Sequence, residues 1–237
     1  MKIKIIFDNE VLNSKFSIGW GFSCLVGEDL LFDTGESAES LLNNMRQLDI
    51  NLSKIKDIVI SHDHWDHTGG LWKILEKNKS VRVWGCPGFS RNFKNRVKSQ
   101  KINLTEAQNL MQIRENIFTT GEIQGKYHLE DISEQSLVVK TSKGLVVITG
   151  CSHPGIVKIL EQVRNYFPQD NFYLVFGGFH LLHKDLREVE MIVSRFKEMK
   201  VQLVGPTHCT GLQAKELFKK MYKNNFLSIK AGKIIEL

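Results

Sequence analysis

The sequence predicts an α/β fold. Short apolar runs rich in Val, Ile, Leu and Phe, bounded by Gly, Asp and Ser, alternate with amphipathic segments along the chain. Two pairs of segments also echo each other. "DLLFDTGES" (29–37) resembles "GLVVITGCSH" (144–153), and "IKDIVISHDH" (55–64) resembles "NFYLVFGGFH" (171–180). Two similar halves, each a sheet with covering helices, would produce that echo.

The elements follow in order. Strands are expected at 2–7, 21–26, 30–32, 57–60, 81–84, 136–140, 145–149, 172–176, 202–204 and 233–236, where β-branched and aromatic residues concentrate. Helices are expected at 37–48, 69–77, 155–166, 185–199 and 211–222. Leu41, Leu42, Met45 and Leu48 fall at helical spacing, as do Val189, Ile192, Val193 and Phe196. Residues 86–115 differ. They are polar and carry a basic cluster of Arg91, Lys94, Arg96, Lys98 and Lys101, and they read as an insertion or lid.

The chain has 237 residues, enough for one sizeable core, so a single domain over 1–237 is expected. Hydrophobic content of 42% and charged content of 24% are ordinary for a soluble globular protein. No apolar run approaches bilayer length, and no membrane partner is expected. The start, "MKIKIIFDNE", reads as a strand and lacks the apolar core of a secretory signal, so a cytoplasmic location is expected. Cys24, Cys86, Cys151 and Cys209 form no Cys-x-x-Cys pair and suggest no disulfide framework. The formal net charge of +6 favours anionic partners.

"SHDHWDHTGG" (61–70) is the most informative stretch. Three histidines and two aspartates occupy the six positions 62 to 67, directly after an apolar strand. Imidazole and carboxylate suit zinc and other first-row divalent metals. Packing so many polar groups without a metal is costly. His62, His64, Asp66 and His67 are therefore candidate ligands. His153, His180 and His208 each follow a further apolar run, where α/β proteins place ligands. Any one of these alone would read as a structural histidine; three at equivalent positions read as site residues. His183 and His128 are weaker, as a helix start and a surface residue. Asp33 ends a strand in "LLFDTG" and is expected to hold a ligand histidine by a hydrogen bond that fixes its tautomer.

His62-x-His64-x-Asp66-His67, followed by isolated strand-end histidines, resembles the metallo-β-lactamase superfamily from Asp33 to His208. The resemblance implies a four-layer αββα sandwich. It implies one or two divalent metals, zinc first, with manganese, iron or magnesium as alternatives. His62, His64 and His153 would hold one metal, and Asp66, His67 and His208 a second. "TGCSHPGI", "FGGFHL" and "PTHCTG" look like the subfamily related to 7,8-dihydropterin-6-methyl-4-(β-D-ribofuranosyl)aminobenzene-5′-phosphate synthase. One departure stands out. The superfamily's bridging Asp has no counterpart after 172–176, where the chain reads "FGGFH". His180 would replace it in part, and a thiolate from Cys151 or Cys209 is a minor alternative.

The expected function is hydrolysis of an anionic, phosphate-bearing small molecule by a metal-activated water, with Asp66 and His180 as catalytic groups. The alternative is a transferase that couples a pterin methyl diphosphate to an aminobenzene ribofuranosyl phosphate with release of diphosphate. Phe16, Trp20, Phe22, Trp65 and Phe179 are candidates to stack on a planar ring. A nucleic-acid phosphodiesterase rests only on the basic run 91–101, which reads better as a solvated helix face. A purely structural zinc site is usually closed by four ligands, and this set is larger. The sequence gives no oligomeric state.

Overall fold

The first apolar run, KIKIIF, forms β1 (Lys2–Phe7), which pairs with the C-terminal strand Ile234–Glu236 on one side and β2 (Ser23–Val26) on the other. β3 (Leu30–Phe32) continues antiparallel. β4 (Asp57–Val59), β5 (Arg82–Gly85) and β6 (Asn103–Glu106) then run parallel. The computed structural model describes residues 1–237, and these seven strands form the sheet of one compact unit, Met1–Gln108 with Lys230–Leu237. Its helices are α1 (Ala38–Gln47), the single turn α2 (Trp65–Thr68), α3 (Leu71–Lys77) and α4 (Arg91–Ser99). α1 is capped by Ser37, whose side chain accepts from Ser40 N. Leu41 and Met45 of α1, Leu71, Ile74 and Leu75 of α3, and Phe93 and Val97 of α4 form one core with Ile6, Leu25, Leu31, Ile58 and Val83. Each such fully buried side chain contributes about 1.5–3 kcal/mol.

The second unit, Asn109–Ile229, repeats the plan. Its sheet begins antiparallel with β7 (Met111–Arg114) and β8 (Ile117–Thr119). β9 (Ile123–Tyr127) and β10 (Glu130–Glu134) form a separate hairpin. β11 (Leu137–Thr141) and β12 (Gly144–Thr149) rejoin the sheet, and β13 (Phe172–Gly178) and β14 (Leu203–Thr207) extend it in parallel. α5 (Ile156–Tyr166), α6 (Leu186–Glu198) and α7 (Leu212–Tyr222) supply Ile156, Leu160, Val163, Val189, Val193, Phe196 and Phe218 to its core. α6 starts with a capping box between Asp185 and Glu188.

The sequence echo has a physical basis. "LLF" and "IKDIVI" become the adjacent parallel strands β3 and β4, while "LVVIT" and "NFYLVF" become the adjacent parallel strands β12 and β13. Each unit thus presents a pair of parallel carboxyl ends, the place where α/β sheets bind ligands.

Residues 86–115 contribute to the cores and sheets of the units they belong to. Phe93 and Val97 anchor α4 in the first core, β6 adds the edge strand of the first sheet, and β7 opens the second. Two of the cluster's cations are also engaged: Lys94 pairs with Glu106, and Arg96 stacks on Trp72. No helix is long and apolar enough to cross a membrane.

Candidate metal centre

At the end of β3 the chain turns through Asp33, whose φ of 53° is left-handed. Its buried carboxylate organises the loop after β4. Asp33 Oδ1 accepts from Ser61 N at 2.7 Å, and Oδ2 accepts from Ser61 Oγ and from His67 Nδ1, both at 2.7 Å. Since Ser61 Oγ spends its only proton on Asp33, it must accept from His62 Nδ1, 2.9 Å away. One carboxylate therefore fixes two imidazoles, His67 directly and His62 through Ser61. In both, the lone pair is left on Nε2, the form a metal requires.

The loop is held tightly. Thr34 N and Thr34 Oγ1 both donate to His67 O, at 2.9 and 2.8 Å. α2 projects Asp66 and His67 together, with His67 Nε2 3.6 Å from Asp66 Oδ2. The ring of His62 lies 4.7 Å from that of His64 and 4.2 Å from that of His67, centroid to centroid. At Gly69 an added Cβ would sit 1.9 Å from Glu36 O, so only glycine lets the backbone pass.

The second unit builds a similar set around a carboxylate that the sequence did not reveal. Glu134, the last residue of β10, is fully buried. Its Oε1 accepts from Cys151 N and Ser152 N at 3.1 and 2.7 Å, and its Oε2 accepts from His153 N at 2.8 Å and His153 Nδ1 at 2.9 Å. His153 thus also carries its lone pair on Nε2. Burial pushes Asp33 above the ordinary carboxylate range, and its bonds to His67 and Ser61 offset this only in part. Burial pushes on Glu134 too. There the bond and charge of His153, with the backbone N–H groups of Ser152 and His153, outweigh it and hold the carboxyl below its ordinary value.

Ser152, His180 and His208 follow β12, β13 and β14 and share the left-handed conformation of Asp33, at φ 70°, 54° and 50°. Such conformations persist where surrounding contacts hold them, and they concentrate at functional sites. Here Ser152 Oγ donates to Gly178 O at 2.7 Å, and Phe179 N donates to Thr210 Oγ1 at 3.1 Å.

"FGGFH" has its own explanation. A Cβ at Gly178 would lie 2.3 Å from Gly150 O and 2.6 Å from Cys209 Sγ, so position 178 has no room for a side chain. Two thiols lie beside it. Cys209 Sγ donates to Cys151 O at 3.5 Å. The hydrogen bond of Cys209 raises the His180 pKa against the effect of burial. Burial pushes the Cys209 thiol up, but its contacts with Cys151, His208 and His180 bring it well below its ordinary value. The Cys151 donor lies within 4.8 Å of those of His153 and His180, and equally close to that of His208. Tyr127, on the hairpin, stands edge-on to His153 with centroids 5.4 Å apart.

These residues suit a divalent metal. The donors are imidazole, carboxylate and thiol, three imidazoles are fixed with Nε2 unprotonated, and the buried His180 Nδ1 has no hydrogen-bond partner. Of the predicted residues, the first unit gathers Asp33, His62, His64, Asp66 and His67, and the second gathers His153, His180 and His208. His183 and His128 are exposed. Ser61, Glu134 and Tyr127 are additions from the structure, and Cys151, a minor alternative in the sequence, joins the second unit's donors. Ser61 and Cys151 adjoin motif residues, but Glu134 has no such signal.

The model of the metallo-beta-lactamase superfamily matches residues 24–157. A curated protein of Methanocaldococcus jannaschii, 7,8-dihydropterin-6-methyl-4-(beta-D-ribofuranosyl)-aminobenzene-5'-phosphate synthase, is 30% identical over 94% of this chain and 92% of its own length. The crystal structure of Tm1679, a metal-dependent hydrolase of the beta-lactamase superfamily, is 34% identical. It covers 100% of this chain and 99% of its own, with a TM-score of 0.84. Human tRNase Z, short form, shares the fold at 15% identity and a TM-score of 0.61, covering 100% of this chain and 99% of its own.

Proposed function

Because the chain belongs to the metallo-beta-lactamase superfamily, whose fold implies a divalent metal, we propose that it is a metal-dependent hydrolase of an anionic, phosphate-bearing small molecule. In this reading the ligands of both units serve one centre: His62, His64 and His153 for one ion, Asp66, His67 and His208 for a second. Cys151, His180 or both take the part of the missing bridging Asp. The observation that carries it is the pair of buried carboxylates, Asp33 and Glu134, each presenting histidine Nε2 lone pairs. A carboxylate, carbonyl or water on the Nδ1–H is the usual outer partner of a metal-bound imidazole.

A bound divalent ion supplies Lewis acidity toward a phosphoryl or carbonyl oxygen and acidifies water. The chain's own residues do the rest. Asp66 orients the attacking water and takes up its proton. Where Cys151 alone takes the bridging part, His180, its pKa raised by its hydrogen bond with Cys209, gives a proton to the leaving oxygen. Asp33, Ser61 and Glu134 keep the imidazoles in one tautomer.

The test is elemental analysis of protein purified without added metal or chelator, paired with turnover of phosphate mono- and diesters. About two equivalents of metal, with turnover lost to chelator and restored by metal, is expected. Turnover that survives substitution of His64 and Asp66 together would sink the proposal.

A second reading, transfer, is favoured by the relative from M. jannaschii, which matches nearly end to end. The same ligands would then neutralise a departing diphosphate, and the chain would couple a pterin methyl diphosphate to an aminobenzene ribofuranosyl phosphate. Incubation with both substrates separates the readings. Coupled product with released diphosphate supports transfer, and hydrolysis of the diphosphate alone supports the first. The basic run 91–101 gives little support to nucleic acid, since α4 buries one face and Arg96 and Lys94 are engaged.

A further inference from the structure

Glu134 holds more than one ring. The carboxylate that accepts from His153 Nδ1 at 2.9 Å also accepts from the backbone N–H of Cys151 at 3.1 Å. An imidazole and a thiol in the turn after β12 are thus placed by one buried anion. A third donor comes from the neighbouring strand. β12 and β13 run parallel with Thr149 opposite Gly177, so the turns that follow them open at the same sheet edge. His180 follows β13, and its ring lies 4.5 Å from that of His153, centroid to centroid. The two turns are pressed together, since a Cβ at Gly178 would lie 2.3 Å from Gly150 O and 3.2 Å from Cys151 Cα.

The donor atoms of Cys151, His153 and His180 all lie within 4.8 Å of one another. Ligands of one tetrahedral zinc ion are about 3.5 Å apart, so small side-chain rotations close the set. Its chemistry is selective. His153 carries its lone pair on Nε2, because Nδ1 donates to Glu134. His180 Nδ1 is buried without a hydrogen-bond partner. No oxygen donor belongs to the set. Magnesium and manganese are served by carboxylate, carbonyl and water, whereas thiolate with imidazole suits zinc. Tyr127 stands edge-on to both rings, with centroids 5.4 Å from His153 and 6.2 Å from His180, and gives the set an aromatic wall.

We propose that Cys151, His153 and His180 form a thiolate–imidazole site that the second unit builds alone, and that it takes zinc or a zinc-like ion. Loading exchanges the Cys151 S–H bond for a sulfur–metal bond and releases the proton to solvent. His180 then serves as a ligand and not as a proton donor. The site deepens the functional reading above by giving the ion at His153 a sulfur ligand and a metal class. It rests on that reading only for the ion's part in turnover. Because all three donors belong to one unit, ion binding there survives the loss of His64 and Asp66.

The test is titration of cobalt(II) into the full chain, stripped of metal by chelator and kept free of oxygen, followed by absorption. A cobalt–thiolate bond gives a charge-transfer band in the near ultraviolet that cobalt bound only to nitrogen and oxygen lacks. The band is expected to grow and saturate in wild type. It should persist in the double variant His64→Ala with Asp66→Asn and in Cys209→Ser, and vanish in Cys151→Ser. His180→Ala should weaken cobalt binding by at least the roughly 10-fold that loss of an outer partner costs. Zinc at about one equivalent should erase the band, while about 100-fold magnesium or manganese should leave it. No band in wild type, a band that follows Cys209 instead of Cys151, or one that disappears with His64 and Asp66 would overturn the site. Should Cys151→Ser not fold, His180→Ala and the competition decide: unchanged cobalt affinity, or displacement by manganese, overturns it. The functional reading fails separately. Chelator-sensitive turnover without the band keeps that reading and strikes this site, and the band without turnover does the reverse.

Discussion

The two units solve one problem with different strengths. Each places a buried carboxylate against the Nδ1 of a candidate ligand histidine, Asp33 on His67 and Glu134 on His153, at 2.7 and 2.9 Å. Their proton affinities nevertheless move in opposite directions. The difference lies in the backbone. Asp33 accepts one main-chain N–H and one hydroxyl, whereas Glu134 accepts three successive main-chain N–H groups, from Cys151, Ser152 and His153. Fixed amide dipoles stabilise a buried anion where burial alone would neutralise it. The first unit therefore holds its histidines through side chains, and the second through the turn after β12.

The largest expected effect tests whether both sets serve one centre. Removal of metal, or substitution of His64 and Asp66 together, should lower turnover by about 10³-fold or more. Substitution of His153 and His208 in the other unit should do the same. If only one pair mattered, the two units would not be partners in catalysis. Metal stoichiometry measured on all four samples checks this directly.

Next come the carboxylates themselves. Glu134→Gln turns an NH2 group toward backbone donors and should cost about 1–3 kcal/mol of stability, with about 10–100-fold in metal affinity. Asp33→Asn should cost similar metal affinity but less stability, because Ser61 can reorient its hydroxyl. Thermal unfolding of the metal-free variants, read beside metal titrations, separates the two. Equal losses of stability would remove the distinction between the units.

This comparison also shows how far the sequence could be read. The candidate ligand histidines were legible because imidazole and carboxylate at such density after apolar runs have few structural uses. Asp33 was legible because it ends a hydrophobic strand. Glu134 was not. It lies 19 residues from His153 in "EDISE", a polar string without a period. Only the pairing of β9 with β10 turns its side chain inward. β6 to β10 were hidden for a related reason: they are short, and β6 buries none of its residues fully. Their place in the fold is set by partners far along the chain, and local propensity is weak there. α4 was hidden on similar ground, since it is polar on one face yet anchored by Phe93 and Val97.

A smaller effect concerns the strand end at "FGGFH", where the bridging Asp has no counterpart. Gly178→Ala should cost about 1–3 kcal/mol, because the new methyl meets Gly150 O and Cys209 Sγ. Cys151→Ser should leave the fold intact and lower the metal bound per chain if the thiol is a ligand. Unchanged stoichiometry in Cys151→Ser would assign the missing bridge to His180 alone.

The smallest effect is the sharpest test of the comparison, and it is read on metal-free protein. Glu134 is held below its ordinary value, so its stabilising contribution is present above the unfolded pKa of about 4 and fades as the pH falls through the folded value. Asp33 is raised, so its contribution has the opposite sign: present below the unfolded value and lost as the pH rises through the folded one. Acidification therefore weakens the second unit's anchor while it relieves the first unit's. Unfolding free energy, followed by denaturant melts from about pH 6 to pH 3, should fall less steeply in Glu134→Gln than in wild type. It should fall more steeply in Asp33→Asn, which removes the opposing group. If both substitutions flattened the acid limb, Asp33 would be a depressed carboxylate like Glu134. One hydroxyl and one amide would then stabilise a buried anion as well as three amides do.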